Sequence, residues 1–160
     1  MLARKIAGIL AIVALMGVAI FALSGCGGNI QTSKSFTFNV STGDAVEVEL
    51  DTSSGLDIQP DQSTFIIYKN DEAITRGIFL DLDAYNEYVE AAQDYPVFKH
   101  NRVRGNEGVY YEASDGETKE YNYLMKLADS NTAIALSTRT GEADATEVAS
   151  LIVFTVNPED

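Results

Sequence analysis

Residues 36–50 read FTFNVSTGDAVEVEL, and this stretch decides the character of the fold. Apolar and polar residues alternate through Phe36–Val40 and again through Val46–Leu50, while Ser41–Asp44 supply a turn that contains glycine. An alternation with period two sends successive side chains to opposite faces of a strand. The stretch therefore predicts an antiparallel hairpin with one buried face and one solvent-facing side.

Short strands and a helix are expected to follow this hairpin. Thr52–Gln62, with its glycine and proline, is expected to be irregular. Phe65–Tyr68 is apolar at every position, which indicates a strand that is covered on both faces. A turn at Asn70–Glu72 would bring Ile74–Leu80 back as the partner of that strand.

A helix of about three turns is expected in the middle of the chain. Either Asp81 or Asp83 can cap its first turn. Pro96 ends it, because proline cannot continue a helix. Four residues at helical spacing form its apolar stripe: Tyr85, Tyr88, Val89 and Ala92.

The second half of the chain is interpreted as a meander. Val109–Ala113 and Thr118–Leu127 flank the turn residues Asp115-Gly116, and Thr132–Thr138 adds a further strand with Ile134 and Leu136 facing inward. A two-residue turn would give two cross-strand pairs, Tyr110 with Tyr121 and Glu112 with Lys119.

The last segment can be interpreted in two ways. Asp144–Glu147 is typical of a capping box, and the apolar residues after it keep helical spacing. Leu151–Val156 is rich in β-branched residues and could also form a strand. A helix is favoured because the cap and the spacing agree. The predicted fold class is thus α+β, an antiparallel meander sheet with one mid-chain helix and one C-terminal helix in a single globular domain, residues 34–160.

This order of elements over Phe36–Val156 is similar to that of the small Mog1/PsbP-like domains. The resemblance lies in element order and includes no diagnostic motif. It implies an accessory or binding role without catalysis.

The N-terminus has the organisation of a secretory signal. Arg4 and Lys5 precede an apolar run, Ile6–Leu23, that contains no charged residue. The run ends in Leu23, Ser24, Gly25 and Cys26, a sequence that resembles the lipobox of bacterial lipoproteins. That resemblance implies a diacylglyceryl thioether on Cys26 and cleavage before it.

The sequence therefore predicts a signal peptide at residues 1–25, and a lipidated cysteine with a tether at residues 26–33. An uncleaved transmembrane helix is the alternative, since the apolar run is long enough to span a bilayer. The position of the only cysteine, Cys26, favours the lipoprotein. Both interpretations place the domain on the extracellular or periplasmic side of the cell membrane.

The net negative charge of the chain limits the classes of molecule that it is expected to bind. The chain has 24 acidic and 11 basic residues, and Arg4 and Lys5 lie in the signal, so the mature part carries a formal charge of −15. Such a surface repels phosphate backbones, which argues against nucleic-acid binding. The expected partners are the membrane, through the lipid on Cys26, and an envelope protein or wall glycan.

No catalytic residue, metal site or cofactor is predicted. His100 is the only histidine and has no sequence neighbour that would make it a base. The segment that begins at Asp81 lacks the glycine and oxygen ligands of a calcium loop. Tyr111 is predicted to point away from the other tyrosines of its hairpin, which makes it a candidate partner contact.

The function expected from these observations is a lipid-anchored, extracytoplasmic, non-catalytic binding or accessory module of the cell envelope. The alternative is an envelope hydrolase that uses paired carboxylates, because the acidic residues are numerous.

Overall fold

The computed structural model describes residues 32–157. The predicted signal peptide, the lipobox and nearly all of the predicted tether lie outside these residues. Neither helix of the described chain is long and apolar enough to cross a membrane. Twelve elements follow in chain order: β1 (Ser33–Asn39), β2 (Ala45–Asp51), β3 (Leu56–Asp61), β4 (Thr64–Lys69), β5 (Glu72–Asp81), α1 (Leu82–Ala92), β6 (Val97–Val103), β7 (Asn106–Ser114), β8 (Lys119–Lys126), β9 (Thr132–Thr138), α2 (Glu142–Leu151) and β10 (Ile152–Val156).

The predicted α+β fold class is wrong, because 57% of the described residues are strand and only 17% are helix. Two antiparallel sheets form a β-rich sandwich, one with the order β1-β2-β10 and the other with the order β3-β4-β5-β9-β8-β7-β6. The smaller sheet and α2 pack on one side of the larger sheet, here called the inner face. Helix α1 packs on its other side, here called the outer face.

The first hairpin is confirmed. In the β1–β2 register, Phe36 lies opposite Val48 and Phe38 opposite Val46. Phe38, Val46 and Val48 are buried, whereas Glu47 and Glu49 lie on the other face of β2. The alternation in the sequence therefore gave the correct buried side.

The mid-chain helix is also confirmed, and Asp81 rather than Asp83 caps it. The Asp81 carboxylate accepts the backbone N–H of Ala84 at 2.7 Å. Helix α1 ends at Ala92, four residues before Pro96. The predicted turn at Asn70–Glu72 is present as well: Asn70 and Asp71 both have positive φ, 51° and 65°, as a two-residue type I′ turn requires.

The last described element is a strand, so the prediction of a closing helix through Val156 is wrong. Helix α2 stops at Leu151, and β10 then pairs with β2 so that Ile152 faces Leu50 and Val156 faces Val46. The β-branched residues of this segment form a strand because they pair with β2, which is distant in sequence. Local helical spacing carries no information about that partner.

Two further expectations fail in the region of β3 and β4. Leu56–Asp61 is a strand rather than an irregular segment, and it tolerates Pro60 because β3 is an end strand of its sheet. Phe65 and Ile67 are fully buried, but Ile66 and Tyr68 on the outer face are only half-buried. This strand is therefore covered on one face, not on both.

The β7–β8 pairing differs from the predicted register by two residues. Tyr110 lies opposite Tyr123, Glu112 opposite Tyr121, and Ser114 opposite Lys119. The turn is longer than two residues because the Asp115 carboxylate accepts the backbone N–H groups of Glu117 and Thr118, at 3.2 and 2.8 Å. A shift by two leaves every side chain on its predicted face.

Candidate functional site

The outer face of the large sheet is covered only in part. Helix α1 packs on β5, β8 and β9 through its apolar stripe, in which Tyr85 and Ala92 are buried. Under the helix lie the small or apolar side chains of Val109, Leu124 and Ala133. This cluster covers one part of the outer face, and the rest of the face is not covered by α1.

A row of cross-strand neighbours crosses the outer face from one end strand to the other. Starting from β3, it consists of Gln59, Ile66, Arg76, Ser137, Asn122, Tyr111 and Phe98. Asn122 is 4% exposed, and both polar atoms of its side chain form hydrogen bonds. Its Oδ1 accepts the Ser137 hydroxyl, and its Nδ2 donates to the Glu120 carbonyl at 3.2 Å. The polar atoms of this buried amide are therefore satisfied within the sheet.

Tyr111 is not the exposed contact that the sequence predicts. Its side chain is 9% exposed and belongs to the cluster under α1. Tyr95, from the segment between α1 and β6, stacks on it with ring centroids 5.4 Å apart and an interplanar angle of 18°. Burial raises the pKa of the Tyr111 phenol, which keeps it neutral. Tyr111 supports Tyr95, and the half-buried Tyr95 reaches the surface.

Tyr95 borders a shallow groove with a volume of about 260 Å³. We call this the aromatic groove, and its lining residues come from the α1–β6 segment, the β7–β8 hairpin and the end of β9: Tyr95, Ala113, Ser114, Asp115, Thr118, Glu120 and Arg139.

An ion pair lies in the aromatic groove. Arg139 Nε donates to Glu120 Oε2 at 2.8 Å, with the two side chains 74% and 27% exposed. The carboxylate raises the pKa of the Arg139 guanidinium. Because Nε makes this bond, the terminal nitrogens of Arg139 remain available as donors.

The second carboxylate of the aromatic groove is Asp115. The backbone N–H groups of Thr118 and Glu117 hold the pKa of the Asp115 carboxyl below its ordinary value. The group is therefore ionised at neutral pH. Together with the hydroxyls of Ser114 and Thr118, the groove offers charged acceptors, charged donors and neutral groups around one aromatic ring.

A second depression of about 260 Å³ lies at the start of α1, with Thr42, Asp81, Leu82, Asp83 and Asn131 around it. Both of its acids belong to the start of the helix: Asp81 caps it, and Asp83 lies in its first turn. Within residues 32–157, no group of three or more His, Cys, Asp or Glu side chains could hold a metal ion.

The other residues singled out from the sequence do not converge on the groove. His100 is exposed on β6, with its ring edge-on to Phe98 at 5.6 Å. Leu23, Ser24, Gly25 and Cys26 lie outside the described residues, so the lipidation site stays a prediction.

Sequence reasoning missed Tyr95, Glu120 and Arg139. These three residues are brought together by the β7–β8 and β8–β9 registers and by the path of the chain after α1. The only local signal was the strand alternation, which places Glu120 and Arg139 on the same face as Tyr111. It could not reveal that Tyr95 folds back over that face.

Comparison with known proteins adds little. No family model matches the chain, and no curated protein matches its sequence. Among solved structures, the chain is similar to a crystal structure from Bacteroides thetaiotaomicron VPI-5482, with 16% sequence identity and a TM-score of 0.45. The match covers 66% of this chain and 44% of the other. At these values, the similarity carries no argument about fold or function.

Proposed function

We propose that the protein is a lipid-anchored, extracytoplasmic binding module without catalytic activity, and that it binds a glycan of the cell envelope in the aromatic groove. One observation carries the ligand class: the half-buried ring of Tyr95 stands on the buried ring of Tyr111, beside the ion pair of Glu120 and Arg139.

The chemistry of the groove matches a polyhydroxylated ligand. A sugar presents hydroxyls at its edges, which need both donors and acceptors, and less polar ring faces, which pack on aromatic side chains. Arg139 supplies donors, Glu120 and Asp115 supply acceptors, and Tyr95 supplies the aromatic surface. A purely apolar groove would lack the donors and acceptors, and a purely charged groove would lack the aromatic surface.

The groove is also held in place before any ligand arrives. Glu120 lies on a strand with neighbours on both sides, and Asp115 is fixed by backbone N–H groups at the end of the same hairpin. A prearranged site loses less conformational entropy on binding than a flexible one. This favours recognition on the sheet over recognition by a mobile loop.

The anchor in this proposal is Cys26, which would carry the lipid after cleavage of residues 1–25. The tether of residues 26–33 can extend at most about 28 Å. The domain would therefore work close to the outer surface of the membrane. A diacyl anchor holds a protein stably at a membrane, whereas a single chain is marginal.

A binding assay on soluble saccharide fragments of the cell wall tests the groove. We expect the wild-type chain to bind them, and the Tyr95→Ala and Arg139→Ala variants to lose at least about tenfold in affinity, or about 1.4 kcal/mol. Lys126→Ala is the matched control, since Lys126 is an exposed cation on β8 beyond the groove. Equal loss in the control would contradict the proposed site.

The same fragments should be recovered intact after incubation. Release of shorter products by the wild type, abolished in Glu120→Gln, would replace the binding proposal with the hydrolase. Mass spectrometry of the native, membrane-bound protein tests the anchor separately. We expect a diacylglyceryl group on Cys26 and none in Cys26→Ala, and an unmodified Cys26 would contradict the anchor.

A further inference from the structure

Positive charge is concentrated in one segment of this acidic chain. Residues 97–106 contain no acidic residue, and they include the cations Lys99, Arg102 and Arg104 together with His100, all of them exposed. Nine lysine and arginine residues lie in the described part of the chain, and a third of them fall in these ten positions. The segment comprises β6 and its turn, which we call the basic edge.

Strand β6 ends the seven-stranded sheet and pairs only with β7 among the described strands. A two-residue turn, Arg104-Gly105, closes the hairpin at the pair of Val103 and Asn106. It follows from antiparallel geometry that the backbone groups of Phe98 and His100 face away from β7. The backbone N–H of Arg102 is accepted by Asn101 Oδ1 at 2.7 Å, so the open part of the edge lies before it.

The cations lie on both sides of this edge. Lys99 is on the inner side, with its ammonium 5.7 Å from the centre of the Tyr110 ring, and forms no ion pair with a described residue. His100 and Arg102 are on the outer side, where Arg102 pairs with Glu107. A strand added beside β6 would meet one positive side chain on each face of the sheet, Lys99 on the inner face and Arg102 on the outer face.

We propose that the basic edge binds an extended acidic segment of a partner protein, which adds to the large sheet as an eighth strand next to β6. The open backbone groups supply the hydrogen bonds, and Lys99, His100 and Arg102 select acidic side chains. This surface is separate from the aromatic groove and does not depend on it.

A second copy of this chain fits the basic edge less well. Two β6 strands side by side would bring Lys99 and Arg102 against the same cations of the other copy. Strand β3, the other end of the sheet, lacks one backbone donor at Pro60, and its acids Asp57 and Asp61 are already paired with Lys34 and Arg76. A separate acidic polypeptide would bring neither like charges nor the missing donor and paired acids of β3 to the basic edge.

The experiment uses the full chain in detergent micelles and a capped octapeptide of four Glu-Val repeats, with binding followed by isothermal titration. We expect saturable binding of this peptide and none of the matching octapeptide of four Lys-Val repeats. We also expect amide exchange to slow at Phe98 and His100, whose N–H groups would join the new ladder. A Glu-Val peptide with alternate backbone nitrogens methylated should fail to bind, because it lacks those hydrogen bonds.

Three variants separate the contribution of charge from that of backbone pairing. Lys99→Glu with Arg102→Glu should weaken binding at least about tenfold. Lys119→Glu with Lys126→Glu makes the same charge change on β8 and should leave the affinity unchanged. His100→Pro should fold, since an end strand tolerates proline where the N–H faces solvent, and should abolish binding.

Several outcomes would overturn the proposal. One is equal affinity for the Lys-Val peptide, and another is unchanged binding of the methylated peptide, which would reduce the interaction to charge alone. Binding to phosphatidylglycerol vesicles that the Glu-Val peptide does not displace would assign the basic edge to a membrane surface. Self-association that the Lys99→Glu and Arg102→Glu variant abolishes would assign it to a second copy. Tyr95→Ala should bind the peptide like the wild type, so this proposal and the groove can fail independently.

Discussion

The two faces of the seven-stranded sheet differ in how they are covered. On the inner face, β1, β2, β10 and α2 enclose one continuous core that includes Phe65, Ile58, Ile134 and Leu136, all at most 2% exposed. On the outer face, α1 covers only a part, and the remainder carries half-buried or charged side chains. The larger buried cluster thus lies on the inner face, and the outer face leaves more of its side chains exposed.

The contact between Phe65 and Gly77 shows how closely the inner face is packed. The Phe65 ring lies on the backbone of Gly77, where a Cβ atom would come within 2.0 Å of the ring. Phe38, Phe79 and Phe154 surround the same ring, with their centroids 5.9 to 6.4 Å from that of Phe65. On the outer face, Ile66 lies one residue away on the same strand and is half-buried. The comparison can therefore be tested within a single strand.

Phe65→Ala should have the largest effect. Removal of a fully buried ring leaves a cavity that its neighbours cannot fill, and the free energy of unfolding should fall by about 3 to 5 kcal/mol. Urea denaturation measures this directly. Ile66→Ala is the control on the other face and should cost under about 1.5 kcal/mol, since less apolar area becomes exposed. Similar losses in the two variants would mean that the faces do not differ as described.

Leu124→Ala tests the smaller cluster under α1. Leu124 is 1% exposed, and its loss should cost about 2 to 3 kcal/mol, at the low end for such a substitution. The effect should be local, so amide exchange should accelerate in α1 and stay unchanged in β2. Acceleration in both elements would indicate one cooperative core rather than two clusters.

Asp81→Ala removes the cap that fixes the start of α1 on the outer face. One backbone N–H, that of Ala84, loses its acceptor, and the expected cost is about 1 kcal/mol. Asp83→Ala is the matched control, because Asp83 contributes to the same first turn only through its charge, worth about 0.3 to 0.5 kcal/mol. Thermal melts of both variants at neutral pH compare the two. A larger loss for Asp83→Ala would contradict the assigned cap.

Asp144→Asn should have the smallest effect and one that depends on pH. The Lys69 ammonium, at 2.8 Å, and the Thr140 hydroxyl hold the pKa of the Asp144 carboxyl below its ordinary value. A depressed pKa in the folded state stabilises the protein above the pKa of the unfolded state, near 4, and this contribution disappears as the pH falls through the folded pKa.

Wild type and Asp144→Asn should therefore differ at pH 7, by under about 1 kcal/mol, and converge in acid. Thermal melts from pH 7 to pH 2.5 measure the difference. Asp71→Asn makes the same chemical change in the exposed turn between β4 and β5 and is the control. A difference for Asp144→Asn that stays constant with pH would mean that the ion pair does not hold α2 to β4.

Local patterns predicted the parts of this fold that depend on neighbours in sequence. The alternation in β1 and β2, the cap at Asp81 and the type I′ turn at Asn70 and Asp71 are all properties of a few consecutive residues. The predictions failed where the outcome depends on a distant partner. Strand β10 forms because it pairs with the side of β2 that β1 does not occupy. The β7–β8 register shifts because the Asp115 carboxylate accepts two backbone N–H groups.

Prediction of the candidate site failed for the same reason, because the site depends even more on contacts between residues that are distant in sequence. Tyr111 was expected to be exposed from its face alone, but Tyr95, sixteen positions earlier, covers it. The ion pair of Glu120 and Arg139 joins the β8 and β9 segments at the end of the hairpin away from the β8–β9 turn. Alternation assigns a side chain to a face, but what lies above that face is decided by the packing of other segments.

The pairing of β10 with β2 has a consequence for the order of events during synthesis. It brings Ala45 and Asn157, 112 positions apart, into hydrogen-bond contact, so the small sheet is complete only when β10 is available. Contacts between such distant residues form late and slow the folding reaction. Until residues 152–156 have been synthesised, the side of β2 that pairs with β10 therefore lacks its partner strand.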